Sequence, residues 1–255
     1  MALAHRFAIL TVLFLAAQAA RADEVRVAVA ANFAAPVQAI AADFEQATGH
    51  KVAISLGSTG KLSAQIRNGA PYEVLLAADS ETPSRLEAER LAVAASRFTY
   101  AVGRLVLWSP RPGEVDSQGE VLRSGRFAHL AICNPQLAPY GAAAVQTMRA
   151  LGVYDRVAPR LVQGENVAQA YQFIASGNAE LGFVALSQVT DNGQMRAGSA
   201  WIVPATLYSP IRQDAVLLNP GRDKAAPRAF LDWLRQARAL ATIRSFGYEV
   251  PGEGK

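Results

Sequence analysis

The chain has 255 residues, of which 51% are hydrophobic and 18% charged, with a formal net charge of +4. That is enough chain for one large or two smaller globular domains with a sizeable core. Its basic residues are scattered singly, without interleaved aromatics, which argues against a nucleic-acid partner, and its single cysteine, Cys133, leaves no internal disulfide to form.

Residues 1–22 read as a secretory signal peptide. His5 and Arg6 give a basic start, Phe7 to Ala17 an apolar run, and Ala20 and Ala22 are small residues before Asp23. The run is well short of the ~20 apolar residues that a spanning helix needs. Cleavage near Asp23 removes Arg6 and Arg21 and no acid, lowering the net charge to +2, and leaves no cysteine at the new N-terminus to carry a lipid. The mature protein is expected to be soluble outside the inner membrane.

From Val25 an apolar strand runs to Ala30-Ala31-Asn32, and a helix begins almost at once, with Asn32 where a cap would sit. The pattern repeats: Lys51 to Leu56 reads as a strand, and Gly57-Ser58-Thr59-Gly60 leads into a helix over Lys61 to Asn68. Glu73 to Ala78 is a short buried strand, Glu81 to Leu91 a helix, and Tyr100 to Ser109 one long β-rich run. Leu130 to Asn134 is a strand, and Pro139-Tyr140-Gly141 opens the helix Gly141 to Leu151. Arg160 to Val162 is a strand, and Glu165-Asn166-Val167 opens the helix Ala168 to Ala175. Strands follow at Leu181 to Leu186, Ala200 to Val203 and Gln213 to Leu218, then an amphipathic helical region from Pro227 to Phe246.

Strand-helix alternation of this kind predicts α/β lobes with mainly parallel sheets. The β-rich passages near Tyr100 and Tyr208 bracket the middle of the chain, so it is expected to cross to a second lobe and return. The predicted lobes are residues 23–102 with 211–255, and 103–210. Ligands of such folds lie beyond the carboxyl ends of the strands, where the four joins would converge.

A strand-to-helix join alone most often does no more than cap a helix. Here Asn32, Ser58, Thr59 and Tyr140 are all uncharged, and Val167 offers its backbone N–H. A helix start carries roughly half a positive charge and unpaired N–H groups, so neutral donors at several starts suit a fully ionised anion. Gly57 and Gly60 would let such a ligand approach the backbone closely. The Gly57 to Lys61 stretch fails the nucleotide-loop pattern G-x-x-x-x-G-K-[ST], since position 55 is serine and Lys61 precedes Leu62. No cofactor motif is present. Catalytic signals are equally poor: there is no G-x-S-x-G elbow, His50 and His129 lie in no metal-ligand spacing, and Cys133 sits inside an apolar strand.

The stretches AANFAAPVQAIAADFE, GSTGKLSAQIRNGAPYEVLLAAD, NPQLAPYGAAAVQTMRALG and ENVAQAYQFIASGNAELGFVALSQ resemble the periplasmic molybdate-binding proteins of ABC transporters. The likeness covers nearly the whole mature chain in order. It implies a two-lobed type II periplasmic binding protein fold, α/β in class, with the ligand cleft between lobes. By motif position it implies molybdate-binding roles for Asn32, Thr59, Tyr140 and Val167, with Ala31 and Ser58 as adjacent second choices. One place departs from the pattern: some members carry a ligand-reaching tyrosine in G-[IF]-V-Y, and here it is Ala185, a loss that Asn32 and Tyr140 are expected to offset. The implied protein is a monomeric, non-enzymatic receptor for molybdate or tungstate that serves an inner-membrane ABC permease. The rival expectations are a receptor for another oxyanion or small anionic solute, and an exported α/β hydrolase.

Overall fold

The structure, a computed structural model, describes residues 23–191, 193–195 and 197–251. The expected signal peptide lies outside the described residues. β1 (Glu24–Ala30) passes through a 3-10 turn (Ala31–Phe33) into α1 (Ala34–Thr48), and β2 (Lys51–Gly57) runs almost directly into α2 (Thr59–Arg67). β3 (Val74–Leu76), α3 (Glu81–Ala88), β4 (Phe98–Gly103) and β5 (Leu105–Ser109) follow. Next come α4 (Val121–Ser124), β6 (Leu130–Cys133), α5 (Pro139–Ala150), α6 (Tyr154–Val157), β7 (Leu161–Gly164), α7 (Val167–Ala175) and β8 (Leu181–Ala185). α8 (Leu186–Val189), a small hairpin of β9 (Thr190–Asp191) and β10 (Gln194–Met195), and β11 (Ser199–Ile202) lead to β12 (Ile211–Leu217), α9 (Ala225–Leu234) and α10 (Ala237–Ser245).

Two five-stranded sheets carry the architecture, ordered β2-β1-β3-β12-β4 and β11-β5-β8-β6-β7. Both are mixed in pairing, yet four of the five strands in each point the same way, as the expectation of mainly parallel sheets has it, and only β12 and β5 run against the rest. In the first, β1 pairs in parallel with β2 and β3, while β12 runs antiparallel to β3 and β4. In the second, β6 pairs in parallel with β7 and β8, while β5 runs antiparallel to β8 and β11. The antiparallel members are the segments by which the chain leaves one sheet and comes back, so their direction follows from the crossing. The long run expected at Tyr100 to Ser109 is accordingly two strands in different sheets, parted at Arg104.

The first sheet is covered on both faces. α1, α9 and α10 bury Val37, Ile40, Phe44, Phe230, Leu234 and Ile243 on one side, and α2 and α3 bury Leu62, Ile66 and Leu86 on the other. Phe44 meets Phe230 edge-on at 5.3 Å, and truncating either ring is expected to cost about 3–5 kcal/mol. The helical region expected from Pro227 to Phe246 consists of two helices, with Gln236 extended between them (ψ 150°), which lets both apolar faces reach that core. The core of the second sheet extends to Ala30 and Ala78, beyond the ends of β1 and β3 or at them, so the sheets pack together where the parallel strands end. That edge is where the joins meet.

Candidate functional site

At the first join neither the 3-10 turn nor α1 has a side-chain cap, which corrects the capping role expected of Asn32. Its side chain turns instead toward the crossing segments. Asn32 Nδ2 donates to Gln213 Oε1 and to Tyr248 Oη, each at 2.9 Å, and its carbonyl accepts from Ser187 Oγ at 2.9 Å. With both amide hydrogens engaged, Asn32 has its backbone N–H left to offer, and its side-chain amino group does not make good the donor missing at Ala185.

The second join is built differently. Ser58 caps α2, its Oγ accepting from Lys61 N at 3.4 Å, and Thr59 Oγ1 accepts from Ala78 N at 3.0 Å. Both residues are buried. Because each hydroxyl oxygen is held by an incoming N–H, its own proton remains for another acceptor. The flanking glycines serve protein packing here: a Cβ on Gly57 would stand 3.2 Å from the Leu62 side chain, and one on Gly60 would stand 3.1 Å from Leu137 Cα. Gly60 N donates to Leu137 O at 2.9 Å, a main-chain bond between the two halves. Close backbone approach is real at Gly60, and its beneficiary is the opposite loop.

At the third join Pro139 lies in the first turn of α5, where a missing N–H is harmless. Gly141 is obligatory, since a Cβ there would lie 2.2 Å from Cys133 O. At the fourth, the Asn166 side chain accepts from Ala168 N and Gln169 N at 3.0 and 3.1 Å. These caps pass over the N–H groups of Thr59, Tyr140 and Val167, and no carbonyl among the described residues takes them.

Ala31, Asn32, Ser58, Thr59, Tyr140 and Val167 all line one cavity, completed by Ala30, Gly57, Ala78, Ala138, Pro139 and Asn166. It measures about 10 Å³, counted by where the centre of a water-sized sphere fits, which is room for one small occupant. Among the described residues no charged side chain lines it. Three helix starts and two oriented hydroxyls therefore surround a space without a counter-charge, an arrangement that favours an anion already ionised and disfavours a cation. A wider groove of about 520 Å³ opens beside it and includes Asp79, Glu81, Arg85 and Arg212, so its charge is mixed.

Tyr140 joins the cavity to the crossing segments. Its Oη accepts from Gln213 Nε2 at 3.2 Å. Burial pushes the phenols of Tyr100 and Tyr140 well above their ordinary range, with neighbouring Tyr248 adding to the effect. Burial also raises Tyr248 to about 12, against the opposing pull of its hydrogen bonds with Ser187 and Asn32. All three stay neutral near pH 7. Cys133 is likewise raised to about 12 by burial, which makes it an unreactive thiol.

The charged residues near the cavity have structural partners. Asp79 accepts from Thr82 N at 2.7 Å, and Asp214 is fully buried between Arg97 Nη1 at 2.6 Å and Thr99 Oγ1 at 2.7 Å. Lys61 in α2 and Glu165, just before α7, form a half-exposed ion pair at 3.0 Å between the two sides. Among the described residues no group of His, Cys, Asp and Glu stands together as a metal site. Gln213, Tyr248 and Ser187 escaped the sequence reading. Gln213 left no distinct trace, standing between Arg212 and Asp214 in the strand Ile211–Leu217, and Tyr248, near the chain end, left none.

Comparison with known proteins agrees with this geometry. Residues 25–249 match the model of the bacterial extracellular solute-binding proteins. The chain is 57% identical over 234 residues to the molybdate-binding protein ModA of Azotobacter vinelandii, covering 92% of this chain and 93% of that one. It is 50% identical over 229 residues to ModA of Rhodobacter capsulatus, covering 90% and 89%. A solved structure of an Azotobacter vinelandii periplasmic molybdate-binding protein superposes with a TM-score of 0.87 at 44% identity, over 89% of this chain and 99% of that one. The chain belongs to the bacterial extracellular solute-binding proteins and, within them, to the ModA family.

Proposed function

We propose that this protein is the periplasmic receptor of an ABC transporter, that it binds molybdate and with it tungstate, and that it delivers the anion to an inner-membrane permease as a monomer. The single observation that carries the reading is the uncharged cavity where three helix starts and the Ser58 and Thr59 hydroxyls meet. The relatives named for molybdate add the choice of anion. Ala31, Asn32, Thr59, Tyr140 and Val167 contribute main-chain donors in this reading, and Ser58, Thr59 and Tyr140 contribute hydroxyls. Charge does not separate molybdate from sulfate, since both are dianions at neutral pH. Size does, because a shell set for longer metal-oxygen bonds leaves the smaller anion with stretched hydrogen bonds. The two lobes expected from the sequence move as units about Arg104 and the Ser209-Pro210 turn, and closure brings the two sides of the cavity together.

Isothermal titration of the mature chain, dialysed free of anions, with molybdate, tungstate, sulfate and phosphate in parallel tests this. One-to-one binding of the first two alone is the expected result. Equal binding of sulfate or phosphate would transfer the reading to a general oxyanion receptor, and heat from none of the four would end it.

A further inference from the structure

Gln213 is fully buried and touches both sides of the cavity from a crossing strand. Its Oε1 accepts from Asn32 Nδ2 at 2.9 Å and lies 3.1 Å from the Tyr100 hydroxyl. Its Nε2 donates to Tyr140 Oη at 3.2 Å. Room for the last contact is made by Gly103, where a Cβ would stand 2.1 Å from Tyr140 Oη and 2.6 Å from Gln213 Nε2. The strand bends at this point too, since the β12-β4 register shifts between Gln213 and Asp214.

The polarity of this chain of bonds matters. A phenol has one proton and two lone pairs. When an amide N–H fills one lone pair of Tyr140, the phenol's proton is not drawn toward Gln213; it is shared with neighbouring Tyr248 and can turn from there to a bound oxyanion. Reversed, with the Gln213 carbonyl facing Tyr140, the same amide would take that proton and turn a lone pair toward the cavity, where it would repel an anion. We infer that Gln213 is a positioning residue that fixes Tyr140 as a hydrogen-bond donor to the bound oxyanion. The inference rests on the oxyanion-receptor reading and assigns a role to a residue that does not line the cavity. It also links site and hinge, because Gln213 belongs to the first sheet and Tyr140 to a helix packed on the second.

The test is a cycle of molybdate titrations on the mature chain with wild type, Tyr140→Phe, Gln213→Glu and the double variant, alongside thermal midpoints without anion. Tyr140→Phe is expected to weaken binding about tenfold, the loss of one hydrogen bond to a charged partner. Gln213→Glu, which presents only acceptors and takes the phenol's proton, is expected to weaken it about a hundredfold, and the double variant should be no worse than Gln213→Glu. Gln213→Met, uncharged and of similar length, removes the donor without capturing the proton and should cost less than Gln213→Glu, which guards against misfolding of the charged variant. The Raman tyrosine doublet, read as a difference against Tyr140→Phe, should shift toward the donating form when molybdate is added to wild type and not to Gln213→Glu. Penalties that simply multiply in the double variant, or a Gln213→Glu protein that binds like wild type, would overturn the assignment. So would an unchanged affinity in Tyr140→Phe. A wild-type protein that binds no molybdate would instead remove the receptor reading beneath it.

Discussion

The two sides of the cavity are made of different material. The first side adds to its main-chain N–H groups two side chains, the Ser58 and Thr59 hydroxyls, each locked by an incoming backbone N–H. The second relies chiefly on main-chain N–H groups, at Tyr140 and Val167, which no carbonyl among the described residues takes, with the Tyr140 phenol as its one hydroxyl. The two constructions answer differently to substitution. A hydroxyl can be deleted with one truncation, whereas a main-chain donor survives any side-chain change that keeps the helix and yields only to proline.

Val167→Pro is therefore the sharpest way to break the second side. Proline suits the first helical position, and Asn166 before it is already extended (φ −139°, ψ 173°), so α7 should stand while one donor disappears. Molybdate affinity should fall by about 2–3 kcal/mol with little change in thermal midpoint; an unaltered titration would show that the second side does not donate there. The phenols between the two sides are tested by alkali. Tyr248 has a folded pKa of about 12 against an unfolded value near 10, so the stability it confers is complete below about pH 10 and is lost as pH rises through 12. That is worth roughly 2–3 kcal/mol. Denaturant midpoints followed from neutral to alkaline pH should drop steeply in wild type and less so in Tyr248→Phe; parallel curves would refute the assignment.

On the first side, Thr59→Ala should weaken molybdate by about 1.5–2 kcal/mol, and Thr59→Ser should restore most of it. A failure of serine to rescue would mean that Thr59 acts only through packing and Ala78. The smallest effect belongs to Lys61→Ala. Its pair with Glu165 joins the two sides but is half-exposed, so affinity at physiological salt should change by less than ~0.5 kcal/mol, and even that should fade as salt is raised. A tenfold loss would promote that ion pair from decoration to clasp.

The same contrast explains what could be read from the chain alone. The strand-helix order was legible because apolar runs and capping residues are local signals, and the four joins led to Ala31, Asn32, Ser58, Thr59, Tyr140 and Val167, which the fold brings to one cavity. The parting at Arg104 was half legible: the expected lobe boundary at 102/103 stands beside it, but the run Tyr100 to Ser109 carries no local break, because two strands that continue one another in sequence differ only in which sheet they pair with. Asn32 looked like a cap because asparagine commonly is one; its actual partners, Gln213 and Tyr248, are 181 and 216 residues away. The Gly60 signal was read correctly as close approach and assigned to the wrong visitor, since Leu137 belongs to a segment whose proximity no local pattern announces.

The place of β12 in the middle of the first sheet, between β3 and β4, has a consequence for how the protein comes into being. A ribosome makes β1 first and β12 only after every strand of the second sheet. Until then β3 and β4 have no strand to join them, and Gln213 and Tyr248, which fasten Asn32, do not yet exist. Long-range pairings of this kind form late. The second sheet, whose strands all lie between Leu105 and Ile202, can pair before that, but the receptor acquires a finished cavity only when β12 and the tyrosine beyond its last helix have arrived.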